Sequence, residues 1–193
     1  MENPMTSEYR LTLHPNTLDN ADPTAKAVLE KAKAQVGFIP NMYSYMVNSP
    51  GLLETYLDGY ARFRRDSGFT PAEQEVVFLT LSRANGCEYC MGAHSMIADQ
   101  MSEVPPEVTA AIREGDPIPD PKLAALSTFT HIMWETRGLP SQAAVQDFLD
   151  AGYGERHVLE IILALAVKTI SNYANHLFHT PLDGMFADYA WKR

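Results

Sequence analysis

Apolar residues recur along this chain at intervals of three and four, the spacing of one face of an α-helix. Ala25, Val28, Leu29, Ala32 and Val36 form the first such stripe, with lysine and glutamate on the other faces. Asp22 before Pro23 suits an N-cap followed by proline at the first helical position. Gly37-Phe38-Ile39-Pro40-Asn41 breaks the pattern, Met42 to Met46 opens a short helix, and Ser49-Pro50 starts another that runs to about Arg65. Thr70-Pro71-Ala72-Glu73 is a further start, with a capping threonine and a glutamate three positions on. The prolines between Asp116 and Pro121 mark a connector. Helices are predicted beyond it around 121–137, 140–150 and 155–188. No segment alternates in the manner of a strand, so the pattern predicts an all-α fold.

A degenerate repeat organises the chain. Glu75, Cys87, Cys90 and His94 share their spacings with Glu160, Asn172, Asn175 and His179, displaced by 85 residues (160 − 75). The apolar helices Val76–Leu81 and Ile161–Val167 lie inside the two copies, which favours duplication over chance. The expected organisation is one domain over 1–193 built from two helical-hairpin repeats. The first spans about 41–104, the connector about 114–121 and the second about 122–188, and only the first copy carries thiols.

Charge narrows the partners. The formal net charge is −9 and the basic residues are mostly single, which argues against nucleic acid. The cluster Arg62, Arg64 and Arg65 reads as a solvated helix face. Met1-Glu2-Asn3-Pro4 lacks the basic-then-apolar pattern of a secretory signal, and the apolar run Ile161–Val167 is too short to span a bilayer. A cytoplasmic, membrane-free setting is the expectation. The two cysteines of the chain stand three apart, too few and too close for a secreted disulfide scaffold. They point to redox chemistry or to half of a metal site.

The chemistry is expected at Cys87, Cys90, His94 and Glu75. On a helix, Cys87, Cys90 and His94 fall at i, i+3 and i+7, one stripe of one face. A helix from Pro71 must end near Asn85-Gly86, a pair suited to left-handed termination. If the chain reverses there, Glu75, ten residues before Asn85, and His94, nine after it, reach nearly the same height. Without the reversal Glu75 and Cys87 stand about 18 Å apart along one axis. Thiols in the first turn of a helix gain anionic character from unpaired N–H groups and the dipole. His94 can take a proton from a thiol or stabilise it as a thiolate. Glu75 would orient the imidazole, and one thiol would resolve the other into an internal disulfide. Structural roles compete: small buried thiols, a satisfied core histidine, a glutamate serving its helix's first turn. Tyr89 and Glu88 read as solvent-facing. Asn172, Asn175, His176 and His179 read as caps or packing, and His14, His131 and His157 as structural. Phe38, Met42, Tyr43, Tyr45 and Met46 read as core or pocket lining.

The run Glu75-x11-Cys87-x2-Cys90-x3-His94 resembles the alkyl hydroperoxidase D-like (AhpD-like) branch of the carboxymuconolactone decarboxylase family. Gly37–Asn41 with Ser49–Leu53, and the region from Lys122 to Pro181, resemble its peroxidase-related subgroup, so the likeness covers roughly residues 25 to 185. It implies an all-α fold of duplicated hairpins, homo-oligomers such as trimers or hexamers, and thiol-dependent peroxidase or disulfide reductase activity without a cofactor. It further implies that Cys90 is deprotonated through His94 and Glu75. Cys87 would be its disulfide partner and the contact for an external dithiol such as a lipoyl group or a thioredoxin-like protein. The best-known members carry a histidine between the cysteines; this chain has Tyr89. Three other readings stay open: a lactone-acid decarboxylase, a zinc or interaction module using both cysteines and His94, and a redox sensor.

Overall fold

The computed structural model describes residues 8–193, so the signal-like or unlike character of Met1-Glu2-Asn3-Pro4 lies outside the described residues. Among the described residues the regular structure is helical throughout and no strand occurs. In chain order the helices are α1 (Pro23–Val36), α2 (Asn41–Met46), α3 (Pro50–Asp66), α4 (Pro71–Ala84) and α5 (Glu88–Gln100). They continue with α6 (Pro106–Glu114), α7 (Pro121–Glu135), α8 (Gln142–Asp150) and α9 (Glu155–Phe178), followed by a 3-10 turn, Gly184–Tyr189.

Local chemistry sets the ends of these helices. Asp22 accepts hydrogen bonds from the Thr24 and Ala25 amides. Thr70 and Glu73 close a reciprocal capping box at 3.2 and 2.9 Å, worth about 1 kcal/mol for the cap alone. The central helix is α4, whose residues Glu73 to Ser82 are all buried. Around it pack α5, α6, α7 and α9, while α3 lies on α9. The polar residues of α4 must therefore find partners inside the protein.

The last helix departs from the expected 155–188. It ends at Phe178, where His179 takes a left-handed conformation at φ 48° and caps the helix; Pro181 follows. That cap agrees with the structural role read for His179. Glu160, Asn172 and Asn175 therefore lie along one uninterrupted helix, whereas Glu75, Cys87, Cys90 and His94 are divided over two. By length and composition α9 is long and apolar enough to cross a bilayer. Its buried face nevertheless carries Lys168, Ser171, Asn172 and Asn175, and that face packs onto α3, α4 and α5.

Past α9 the chain folds back over α5. Phe186 is buried, Tyr189 donates to Asp99, and Trp191 Nε1 donates to the Arg113 carbonyl at 3.0 Å. The aromatic tail Phe186 to Trp191 is thus engaged within its own chain. Gly92 permits this approach, because a Cβ there would stand 2.9 Å from Leu182 Cδ1.

Candidate active site

The reversal expected at Asn85-Gly86 is present. Asn85 ends α4, Gly86 takes φ +68°, and the Cys87 amide donates back to the Ser82 carbonyl at 2.9 Å. A Cβ at residue 86 would meet Arg193 Cδ at 2.6 Å as well as the unfavourable φ, so glycine is required twice over. Cys87 is then the N-cap of α5, outside the helix proper, and Cys90 lies in the first turn. Both thiols are free and buried, 1% and 2% exposed.

The reversal brings the predicted carboxylate to the predicted imidazole. His94 Nδ1 and Glu75 Oε2 are 2.8 Å apart, with Glu75 fully buried. The second carboxylate oxygen accepts from Arg64 Nη2. Arg64 also donates to Gln74 Oε1 at 3.1 Å and to the Tyr60 hydroxyl at 2.7 Å. Arg64 is therefore not part of a solvated face. It turns inward from α3 to neutralise Glu75. Burial pushes the Glu75 carboxyl up, but His94 and Arg64 outweigh it and hold the group below the usual range. Burial lowers His94, reinforced by Lys168, against the opposing pull of Glu75. The imidazole is accordingly neutral near pH 7. With Nδ1–H donated to an ionised carboxylate, Nε2 is the free base.

The two sulfurs are driven apart in acidity. Burial pushes Cys90 up, but the hydrogen bond donated by Cys87 outweighs it together with the Lys168 ammonium, His94 and the Asn175 amide. The net effect holds Cys90 well below the ordinary thiol value. Cys87 moves the other way, pushed up by burial and by Cys90. Asn175 Nδ2 stands 3.3 Å from Cys90 Sγ and 3.1 Å from Met42 Sδ. Asn175 is thus a site residue, although sequence reading assigned it to packing. Asn172 accepts from Asn85 at 2.8 Å, and Trp134 donates to Asn85 at 2.7 Å, so this pair steadies the turn.

The thiols open to different surfaces. Cys90 and His94 line a cleft of about 730 Å³ walled by Phe38, Tyr43, Tyr56 and Tyr60. Cys87 lines a separate polar crevice of about 230 Å³ with Glu88, His176, Thr180 and Arg193. Tyr89 borders both and is buried rather than solvent-facing, its hydroxyl donating to Asp183. Among the described residues no set of three histidine, cysteine or acidic side chains is placed to hold a metal ion.

Residues 50–130, which contain the whole thiol motif, match the carboxymuconolactone decarboxylase family. The match to that family covers less than half of the chain. Solved structures carry the likeness along the rest of the chain, at identities that speak for the fold. The AhpD core of a peroxidase-related protein from Ralstonia eutropha JMP134 superposes with a TM-score of 0.77 at 19% identity, covering 90% of this chain and 93% of that one. A peroxidase-related protein from Silicibacter sp. TM1040 gives 0.71 at 18% identity, covering 92% and 95%. The debrominase Bmp8 in complex with 2,3,4-tribromopyrrole gives 0.74 at 16% identity, covering 95% and 97%. No curated protein sequence matches the chain.

The fold brings Glu75, Cys87, Cys90 and His94 together, and Arg64, Lys168 and Asn175 stand beside them. A signal for the additions exists in the helical spacing. Arg64 follows Tyr56, Leu57 and Tyr60 on one stripe of α3, and Lys168 follows Ile161 and Ala164 on the buried stripe of α9.

Proposed function

We propose that this protein is a thiol-dependent peroxidase that reduces hydroperoxides through an internal Cys87–Cys90 disulfide. The supporting observation is the geometry of two free, buried thiols beside His94, whose Nδ1 is 2.8 Å from Glu75 Oε2, with Asn175 Nδ2 3.3 Å from Cys90 Sγ. The Cys90 thiolate attacks the terminal peroxide oxygen. The O–O bond breaks and Cys90 becomes a sulfenic acid while the alkoxide leaves. A proton taken up from solvent at His94 Nε2 and passed on converts the alkoxide to the alcohol. Cys87 then attacks the sulfenic sulfur, forming the disulfide and releasing water. An external dithiol, a lipoyl group or a thioredoxin-like protein, would restore both thiols from the Cys87 crevice, with Cys90 as the better leaving group. Homo-oligomers belong to this reading through the family likeness. One equivalent of hydroperoxide should abolish both thiols and yield a Cys87–Cys90 disulfide in peptide mapping. Two titratable thiols surviving that treatment would end the proposal.

A second reading is favoured by the aromatic walls of the Cys90 cleft and by the fold shared with a debrominase. In it the two thiols supply the electron pair for replacing an aryl bromide by hydrogen, giving bromide and the same disulfide. Disulfide formation driven by a brominated pyrrole but not by a hydroperoxide would select it.

A further inference from the structure

Of the charged side chains buried in the described core, Glu73 pairs with Lys122 and Glu75 with Arg64 and His94, while Lys168 has no partner. Lys168 is 1% exposed, and its Nζ rests 5.5 Å from the centroid of the Phe78 ring with no hydrogen bond among the described residues. His94 lies on the same ring at 5.0 Å. Lys168, Asn172 and Asn175 stand at i, i+4 and i+7, a single buried stripe of α9, and Asn175 at its end touches Cys90 Sγ at 3.3 Å. An ammonium buried among apolar groups is costly unless a negative charge compensates it. With Arg64 and Glu75 neutralising each other and His94 uncharged, the acid left to compensate Lys168 is the thiol pair.

We propose that Lys168 is the counter-charge of the Cys90 thiolate, a positioning residue whose fixed positive charge keeps one proton off the reduced pair. This deepens the thiol-redox reading of the site and rests on it. The cluster of Arg64, Glu75, His94, Lys168, Cys87 and Cys90 is then neutral overall when Cys90 is ionised and Cys87 is not. Tyr43, Tyr56 and Tyr60, which border the cleft at Cys90, are kept protonated by burial and contribute no competing charge. Oxidation to the disulfide removes the thiolate and leaves Lys168 uncompensated, which biases the pair towards its reduced form.

The test is a thiolate titration by ultraviolet absorbance, with the pH dependence of iodoacetamide alkylation at Cys90 alongside, on reduced protein and without any hydroperoxide. Lys168→Met, similar in volume and uncharged, is expected to move the Cys90 profile up by at least about one pH unit and to slow alkylation roughly tenfold at any pH below both profiles. Lys168→Arg is expected to keep the parent profile. A Lys168→Met profile unchanged from the parent would overturn the proposal. Should Lys168→Met not fold, Cys87→Ala decides. It removes the hydrogen bond from Cys87 and leaves Lys168, so Cys90 should still ionise below the ordinary thiol value, and a return to that value overturns the proposal. A chain with this Lys168-dependent thiolate but no reaction with hydroperoxides would refute the peroxidase reading alone. One that reduces hydroperoxides with a Lys168-independent thiolate would refute the counter-charge alone.

Discussion

Glu75 and His94 are 19 residues apart in sequence and 2.8 Å apart in space, joined across the reversal at Asn85-Gly86. The carboxylate is fully buried and is shared with Arg64, so it orients the imidazole and also neutralises a guanidinium. Glu75→Gln keeps the size of the side chain and removes its charge. It should leave Arg64 without its anion, at a cost of about 3 kcal/mol, the low end for a buried pair because Arg64 is partly exposed. Denaturant unfolding measures that loss. The amide can also favour the wrong histidine tautomer, so if the proposed peroxidase reading holds, hydroperoxide turnover should fall by about 10²-fold or more.

The acid side of the stability profile follows from the same pair. Glu75 and His94 both titrate lower in the folded protein than in the unfolded chain. Over each such interval the unfolded state binds more protons, so stability rises with pH. The His94 contribution is fully present above the ordinary histidine value, about 6.5, and is lost as pH falls through its lowered folded value. The Glu75 contribution is lost further into acid, below the usual carboxylate range. Melting temperature should therefore climb from acid to about pH 7 in two legs. His94→Gln is expected to remove the upper leg and to reduce the lower one to what Arg64 sustains; an unchanged upper leg would assign it to another group.

Tyr89 stands between the two cysteines and ties the C-terminal segment to the thiol helix through Asp183. Asp183 also accepts from the Asn41 amide at 3.1 Å. Tyr89→Phe removes the hydroxyl and leaves the carboxylate with the amide alone. A cost of about 1–3 kcal/mol is expected, together with faster hydrogen exchange in residues 182–193. Equal exchange in the two proteins would show that Tyr189 and Trp191 hold this segment unaided.

How much of this site could be read in the sequence depended on whether a residue's partner was local. The turn at Asn85-Gly86, the capping box at Thr70 and the pairing of Glu75 with His94 follow from spacing along two adjacent helices. Arg64 was hidden because Arg62 and Arg65 beside it suggest solvent, while the stripe from Tyr56 through Tyr60 turns it inward. Lys168 and Asn175 were hidden for another reason. Their partners lie on α4 and α5, and only packing of α9 against those helices brings them together. The length of α9 was overestimated because the residues after His179 are as apolar as those before it; the stop is made by a left-handed histidine and a proline.

The walls of the Cys90 cleft bear on substrate choice. Phe38, Tyr43, Tyr56 and Tyr60 offer apolar surface, and the cation lining the cleft, Arg64, is already committed to Glu75, Gln74 and Tyr60. A neutral aromatic hydroperoxide that buries about 100 Å² of apolar area gains about 2.5 kcal/mol over hydrogen peroxide. The ratio of kcat/KM for cumene hydroperoxide over hydrogen peroxide should then lie between about 10 and 100. A ratio near one would mean that the cleft does not hold the substrate during reduction.

Asn175 offers the most direct probe of charge at the sulfur. Its amide donates to Cys90 at 3.3 Å and is a neutral contribution to thiolate stability. Asn175→Asp keeps the shape and places a carboxylate against the thiolate in a site with 4% exposure at that residue. Like charges at this distance in a poorly solvated site cannot both persist, so either Cys90 or the new carboxyl must hold a proton near neutrality. Where Cys90 takes that proton, its alkylation at pH 7 should fall at least tenfold and recover as the pH is raised. Asn175→Ala removes the donor without adding charge and should cost only a few-fold. If both variants lose reactivity equally, Asn175 acts by packing against Met42 and not through the field at Cys90.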